Sequence, residues 1–148
     1  VHYFSNSNHP KRVHAFARYR DLGVLALRLA FGFQLVKVSW QNALQPAENL
    51  PKFTRYLDGL GFPLPHVASA LAAYTEFLGG ILLILGLFTR WANVALLINF
   101  TVAFLFAHLA IGDTYQNAFA SLNLLAVNLF LLLNGPEKYS LDARRGAG

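Results

Sequence analysis

The stretch Val67–Phe88, VASALAAYTEFLGGILLILGLF, carries one charged residue, Glu76, in an otherwise almost wholly apolar run. About 20 residues rising 1.5 Å each cross a hydrocarbon core of roughly 30 Å, so this run is long enough to span a bilayer. A carboxyl placed there must neutralise, find a partner or face a wet cavity, which makes Glu76 the first residue to consider for function. Segments 22–40, 91–111 and 117–134 meet the same test. In hydrocarbon, backbone amides are satisfied only within a helix or a closed barrel, and these runs are about twice the length of a barrel strand. The expected fold is therefore an all-α integral membrane protein.

Connections after the second and third spans are short, which forces antiparallel neighbours and an up-down four-helix transmembrane bundle. The first connection is longer. Within it Leu50, Phe53, Leu57 and Leu60 recur at helical spacing, Asn49 is placed to cap, and Gly59, Gly61, Pro63 and Pro65 supply the stop. This predicts a short amphipathic helix between the first two transmembrane helices, lying at the outer interface, with an ordered loop as the alternative. The chain divides into a polar basic leader (1–21), the transmembrane domain (22–134) and a tail (135–148).

A composition that is 55% hydrophobic and 13% charged fits one membrane domain and not a soluble domain with an anchor. The net charge of +5 is distributed by side. Lys11, Arg12, Arg18 and Arg20 precede the first span, Arg90 separates the second and third, and Lys138, Arg144 and Arg145 follow the fourth, against Lys52 and Arg55 on the opposite side. The positive-inside pattern places both termini in the cytoplasm, and the basic side faces lipid headgroups, with no nucleic-acid partner expected. No cleavable signal is expected, because polar and basic residues precede the first apolar run without a small-residue cleavage site after it. The absence of cysteine removes thiolate and iron–sulfur chemistry from this chain.

Ser69, Ala72, Ala73, Gly79 and Gly80 share the helical face of Glu76, and small residues let helices approach closely, so Glu76 is expected to point into the bundle. Counting 1.5 Å per residue puts Glu76 about 18 Å from the cytoplasmic end of its span, with Gln34 and Asn123 at a similar level and Arg28 about 10 Å in. An Arg28–Glu76 ion pair would resolve two burial problems at once and is expected; snorkelling of Arg28 to the cytoplasm is the alternative. Lys37, His66 and His108 form a second polar layer near the outer interface, beside Trp40 and Tyr74. His66 and His108 lie on different helices at similar depth, the one arrangement offering axial ligation to a haem, but the spacing is no motif and interfacial anchoring is favoured. His2, His9 and His14 in the leader make no metal-binding pattern. Asn93, Asn99, Asn123, Asn128 and Asn134 are read as interhelical contacts, with Asn99 on the face of Ala92, Ala103 and Ala110.

Three strings in order resemble the DoxX family: Leu60-Gly-Phe-Pro-Leu-Pro, then Glu76-Phe-Leu-Gly-Gly-Ile-Leu-Leu-Ile-Leu-Gly-Leu-Phe-Thr-Arg90, then Gly135-Pro-Glu-Lys-Tyr-Ser-Leu-Asp142. Leu27-Arg28-Leu29, Gly32 and Trp40-Gln41 add to the resemblance. Arg28, Glu76, Arg90, Gly79, Gly80, Gly135, Pro136, Ser140 and Asp142 fall at family positions. Val38, Ser39 and Asn42 depart from the family pattern at the outer end of the first span. The resemblance implies a small four-helix protein of a bacterial or archaeal inner (plasma) membrane, in several members associated with quinone-linked oxidation of sulfur compounds or other membrane redox assemblies. The expectation is an accessory subunit of an electron-transfer complex, not catalytic alone, with other membrane subunits as partners and a quinone or proton site at Glu76, Arg28, Gln34, Asn123, Lys37 and His108. The alternative is a purely structural or assembly subunit. A small transporter is a third reading, with no repeats or broken helices to support it.

Overall fold

The structure, a computed structural model, describes residues 19–146. The leader residues His2, His9, His14, Lys11, Arg12 and Arg18 lie outside that range. Helix α1 runs Arg20–Leu44, α2 Pro46–Gly59, α3 Pro65–Leu85, α4 Thr89–Ala103, α5 Tyr115–Asn134 and the short α6 Leu141–Arg144. Helix α4 continues as a π-helical segment, Phe104–Leu109, so that α1, α3, α4 with its extension, and α5 are each long and apolar enough to cross a membrane. The architecture is the all-helical, four-span arrangement expected from the hydropathy pattern.

Helix α1 packs on α3, α3 on α4, and α4 on α5, the α1–α3 contact being the most extensive. Glycine makes the first of these contacts possible. A Cβ on Gly32 of α1 would lie 2.8 Å from the Gly80 carbonyl oxygen, and one on Gly80 would lie 2.8 Å from that of Gly32. The neighbouring Gly79 faces the other way, where a Cβ would sit 2.9 Å from Leu96 of α4. The Gly79-Gly80 pair thus admits one helix on each side of α3, the close approach that small residues permit in membranes. Val24, Leu35, Leu83, Leu96, Phe100, Leu124 and Leu131 fill the remaining core. Outside it, Phe33, Leu71, Leu78, Trp91, Ile98 and Leu133 are exposed, a surface suited to acyl chains.

Helix α2 lies where the amphipathic helix was expected, but Pro46 begins it and Asn49 falls inside, its amide donating to the Gln45 carbonyl at 3.2 Å. Proline suits the first helical position because its missing N–H would be unpaired there anyway. Thr54 and Leu57 are its buried residues, and Thr54 shares a 2.7 Å hydrogen bond with Ser69 that fastens α2 to α3.

The tail is tied beneath the bundle. Helix α3 ends in a Schellman turn, with Gly86 at φ +64°, Leu87 N–H bonded to the Leu82 carbonyl at 3.0 Å and Gly86 N–H to that of Leu83 at 3.2 Å. Asp142 accepts the N–H groups of Phe88 at 2.9 Å and Thr89 at 2.7 Å, and its own N–H reaches the Gly86 carbonyl at 3.0 Å. It therefore caps the start of α4 from a distant part of the chain, while Ser140 caps α6 through Ala143 N–H.

Candidate functional site

Side chains lean toward the N-terminus of their own helix, and α1 and α3 run in opposite directions. Arg28 on α1 consequently leans toward the tail end of the bundle, and Glu76 on α3 leans toward the opposite end. This separates the expected ion pair. Arg28 instead pairs with Glu137, donates to the Leu83 carbonyl at 2.9 Å and reaches that of Ile84 at 3.4 Å. Arginine 28 and Glu137 are only 1% and 5% exposed, so this is a buried charge pair that also satisfies the last carbonyls of α3. Ser140 and Gly86 complete its walls, because a Cβ on Gly86 would touch both the guanidinium and Ser140.

Glu76 accepts a 3.0 Å hydrogen bond from the Asn99 amide of α4. The two side chains stand in the wall of a cavity of about 470 Å³ between α2, α3 and α4. Phe53, Leu57 and Phe62 roof it, Leu71, Ala72, Ile98 and Val102 form its apolar sides, and His108 lines it as well. The Phe62 ring stacks obliquely on Phe106 with centroids 4.7 Å apart, joining the roof to the π-helical segment.

That segment explains how His108 reaches the cavity. On a uniform α-helix His108 would lie about 180° from Asn99, and Ala110 would share the face of Asn99. An added residue in the turn shifts the phase by as much as about 100°, bringing the last turn round. Ala107 becomes the buried alanine and Ala110 is exposed, correcting the sequence register. His108 Nδ1 is 2.9 Å from Asp113 Oδ2, and its Nε2 is 3.3 Å from Ser121 Oγ of α5. Asp113, in the turn outside the spans, is held below the ordinary carboxyl value of 3.8 by hydrogen bonds from the Asn117 amide, then from His108 and the Thr114 N–H. A carboxylate at that nitrogen favours the tautomer with the proton on Nδ1, leaving Nε2 as the basic atom.

Of the other residues assigned to this site from sequence, none lines the cavity. Gln34 and Lys37 are exposed on α1 and Asn123 on α5. Depth along the membrane was the only coordinate available for them, and depth does not fix the face of a helix. His66 is exposed and borders a separate hollow with Val67, Ala70, Leu71 and Tyr74, apart from the cavity that His108 lines. Asn93 and Asn128 are buried but donate to carbonyls of their own helices, Thr89 and Leu124, each at 2.7 Å, so they do not bridge helices through those donors. Asn99 and Asn134 are the interhelical amides, Asn99 donating to Glu76 of α3 and Asn134 accepting from the Arg20 guanidinium of α1. The role of Glu137, the partner of Arg28, was missed from sequence: nothing in its spacing marks it, and only the return of the tail beneath α3 brings it to Arg28.

A family model, DoxX, matches residues 23–109, more than half of the chain. The chain belongs to the DoxX family. The match runs from α1 to the end of the π-helical segment and includes Arg28, Gly32, Glu76, Gly79, Gly80 and Arg90; the tail residues Gly135, Pro136, Ser140 and Asp142 lie beyond it. A curated relative, Inner membrane protein YphA of Escherichia coli (strain K12), is 33% identical over 98 residues, covering 61% of this chain and 69% of the relative. No solved structure matches. As a DoxX protein, the chain is a multi-pass membrane protein whose cavity and tail clamp occupy opposite ends of one bundle.

Proposed function

We propose that this DoxX protein is an accessory membrane subunit of a quinone-linked oxidoreductase complex, and that the cavity beside Glu76 and Asn99 receives the quinone ring. The observation that carries the reading is the cavity's composition: an apolar slot with a carboxyl, an amide and an imidazole at its wall, the pattern of small-molecule sites. A quinone accepts hydrogen bonds at its carbonyl oxygens, and the second N–H of the Asn99 amide, beyond the one given to Glu76, is a donor in the cavity wall. When bound, the quinone supplies the electron-carrying chemistry. The chain's own groups orient the ring, exclude lipid and hold protons.

The relative's inner-membrane name and the grouping of Arg90, Lys138, Arg144 and Arg145 at the tail end of the bundle favour a bacterial or archaeal plasma membrane with both termini cytoplasmic. The test is Glu76→Gln in the gently solubilised complex. Quinone turnover is expected to fall while the complex stays assembled; lost assembly with normal specific activity contradicts the reading. A second reading, a scaffold, rests on Gln34, Lys37 and Asn123, polar side chains exposed on spanning helices. Polar groups at such depth normally face protein, so they favour neighbouring subunits covering α1 and α5 in either case.

A further inference from the structure

We infer that His108, held by Asp113 and Ser121 at the π-helical turn, is the proton connection between the cavity of Glu76 and the water on the membrane side opposite the tail. The inference rests on the Glu76 cavity reading above but not on the identity of what the cavity binds. Three observations meet at this residue. His108 lines the cavity with Glu76. Its ring nitrogens are both engaged, one by a carboxylate in the aqueous turn and one by a hydroxyl on α5. The helix departs from α geometry over Phe104–Leu109, and π turns of this kind occur often at functional sites.

Around the ring, the titratable groups are Asp113 on its own turn, Glu76 of α3 and Tyr56 of α2 across the cavity; α5 contributes the neutral Ser121. The side chains of His108 and Asp113 are 15% and 17% exposed, enough for water to reach the dyad without opening the bundle. In the outward direction a proton leaves the cavity and bonds to Nε2, another leaves Nδ1 through Asp113 to water, and rotation of the ring resets the tautomer. Inward transfer is the reverse. No electron moves in either direction. An imidazole held by a carboxylate is suited to this exchange because one ring nitrogen can accept a proton while the other releases one. A structural role for the same contacts would hold the turn between α4 and α5 and leave proton traffic untouched.

The test uses the full chain in bilayer nanodiscs. The Glu76 carboxyl is assigned as the infrared band that Glu76→Gln removes, and the rate at which it follows a rapid pH step is measured. His108→Phe is expected to slow the response by about tenfold or more. Asp113→Asn, which keeps an acceptor for Thr114 N–H, is expected to slow it as well, and added imidazole is expected to restore His108→Ala. Helix content by circular dichroism controls for folding, and should His108→Phe lose helix, Asp113→Asn and imidazole rescue decide the outcome. Wild-type rates in His108→Phe or Asp113→Asn, or a His108→Ala rate unmoved by imidazole, overturn the inference. Quinone retained by the same preparations is measured separately, so failure of the quinone reading and failure of the proton route give different results.

Discussion

Removing Glu137 while leaving Arg28 in place is the sharpest test of the tail clamp. Arg28 is 1% exposed and keeps its bonds to the Leu83 and Ile84 carbonyls, so Glu137→Ala leaves a buried guanidinium facing neutral carbonyls alone. Breaking a buried ion pair from one side costs about 3–5 kcal/mol, because the surviving charge loses its counter-charge without regaining water. Arg28→Ala strands the Glu137 carboxylate and also frees two α3 carbonyls, so it is expected to cost at least as much. Replacing both partners by apolar residues, Arg28→Met with Glu137→Leu, removes the stranded charge and is expected to cost less than either single change. The assay is reversible unfolding in mixed micelles, with tryptic cleavage after Arg144 or Arg145 as a report on tail release. Single changes costing under about 1 kcal/mol, the range of an exposed pair, would refute the reasoning, as would a double change equal to the sum of the singles.

Gly80→Ala is expected to destabilise by about 1–3 kcal/mol in the same assay, since its Cβ meets the Gly32 backbone, whereas Gly23→Ala, with nothing within 4 Å, is expected to be neutral or stabilising. Burial acts to raise the Asp142 carboxyl, but hydrogen bonds from Thr89 and Phe88, helped by the Arg145 charge, outweigh it and hold the value below 3.8. A lowered folded value means that its contribution is present above 3.8 and is lost as pH falls through the folded value; Asp142→Asn is expected to weaken tail docking at neutral pH, read as faster hydrogen exchange of the Phe88 and Thr89 amides. Thr54→Ala is expected to loosen α2 by about 1 kcal/mol through loss of the Ser69 hydrogen bond, read as faster amide exchange across 46–59.

The spans were legible because hydrophobic length alone identifies membrane helices, and the glycine pair because small residues on one face mark close packing. Glu76 was legible as an inward carboxyl for the same reason. Its partner was not: opposite charge favoured Arg28 although it starts nearer the cytoplasmic end, and only the opposite lean of side chains on antiparallel helices sends Arg28 to the tail and leaves Asn99 beside Glu76. Gln34 and Asn123 share the depth of Glu76 on outward faces. The face of His108 was hidden by the π turn, which breaks the period on which a sequence reading depends. Glu137 lies far from Arg28 in sequence, and the chain reversal that joins them leaves no local signature.

The central claim is that the cavity beside Glu76 and Asn99 is a ligand site. A photoactivatable quinone analogue applied to native membranes, followed by mapping of the labelled residues, tests it most directly. Label is expected on Ala72, Asn99 or Val102, competed by excess quinone and reduced in Glu76→Gln. Label spread over Phe33, Leu78 and Leu133 on the outer surface, uncompeted and indifferent to Glu76, would contradict it.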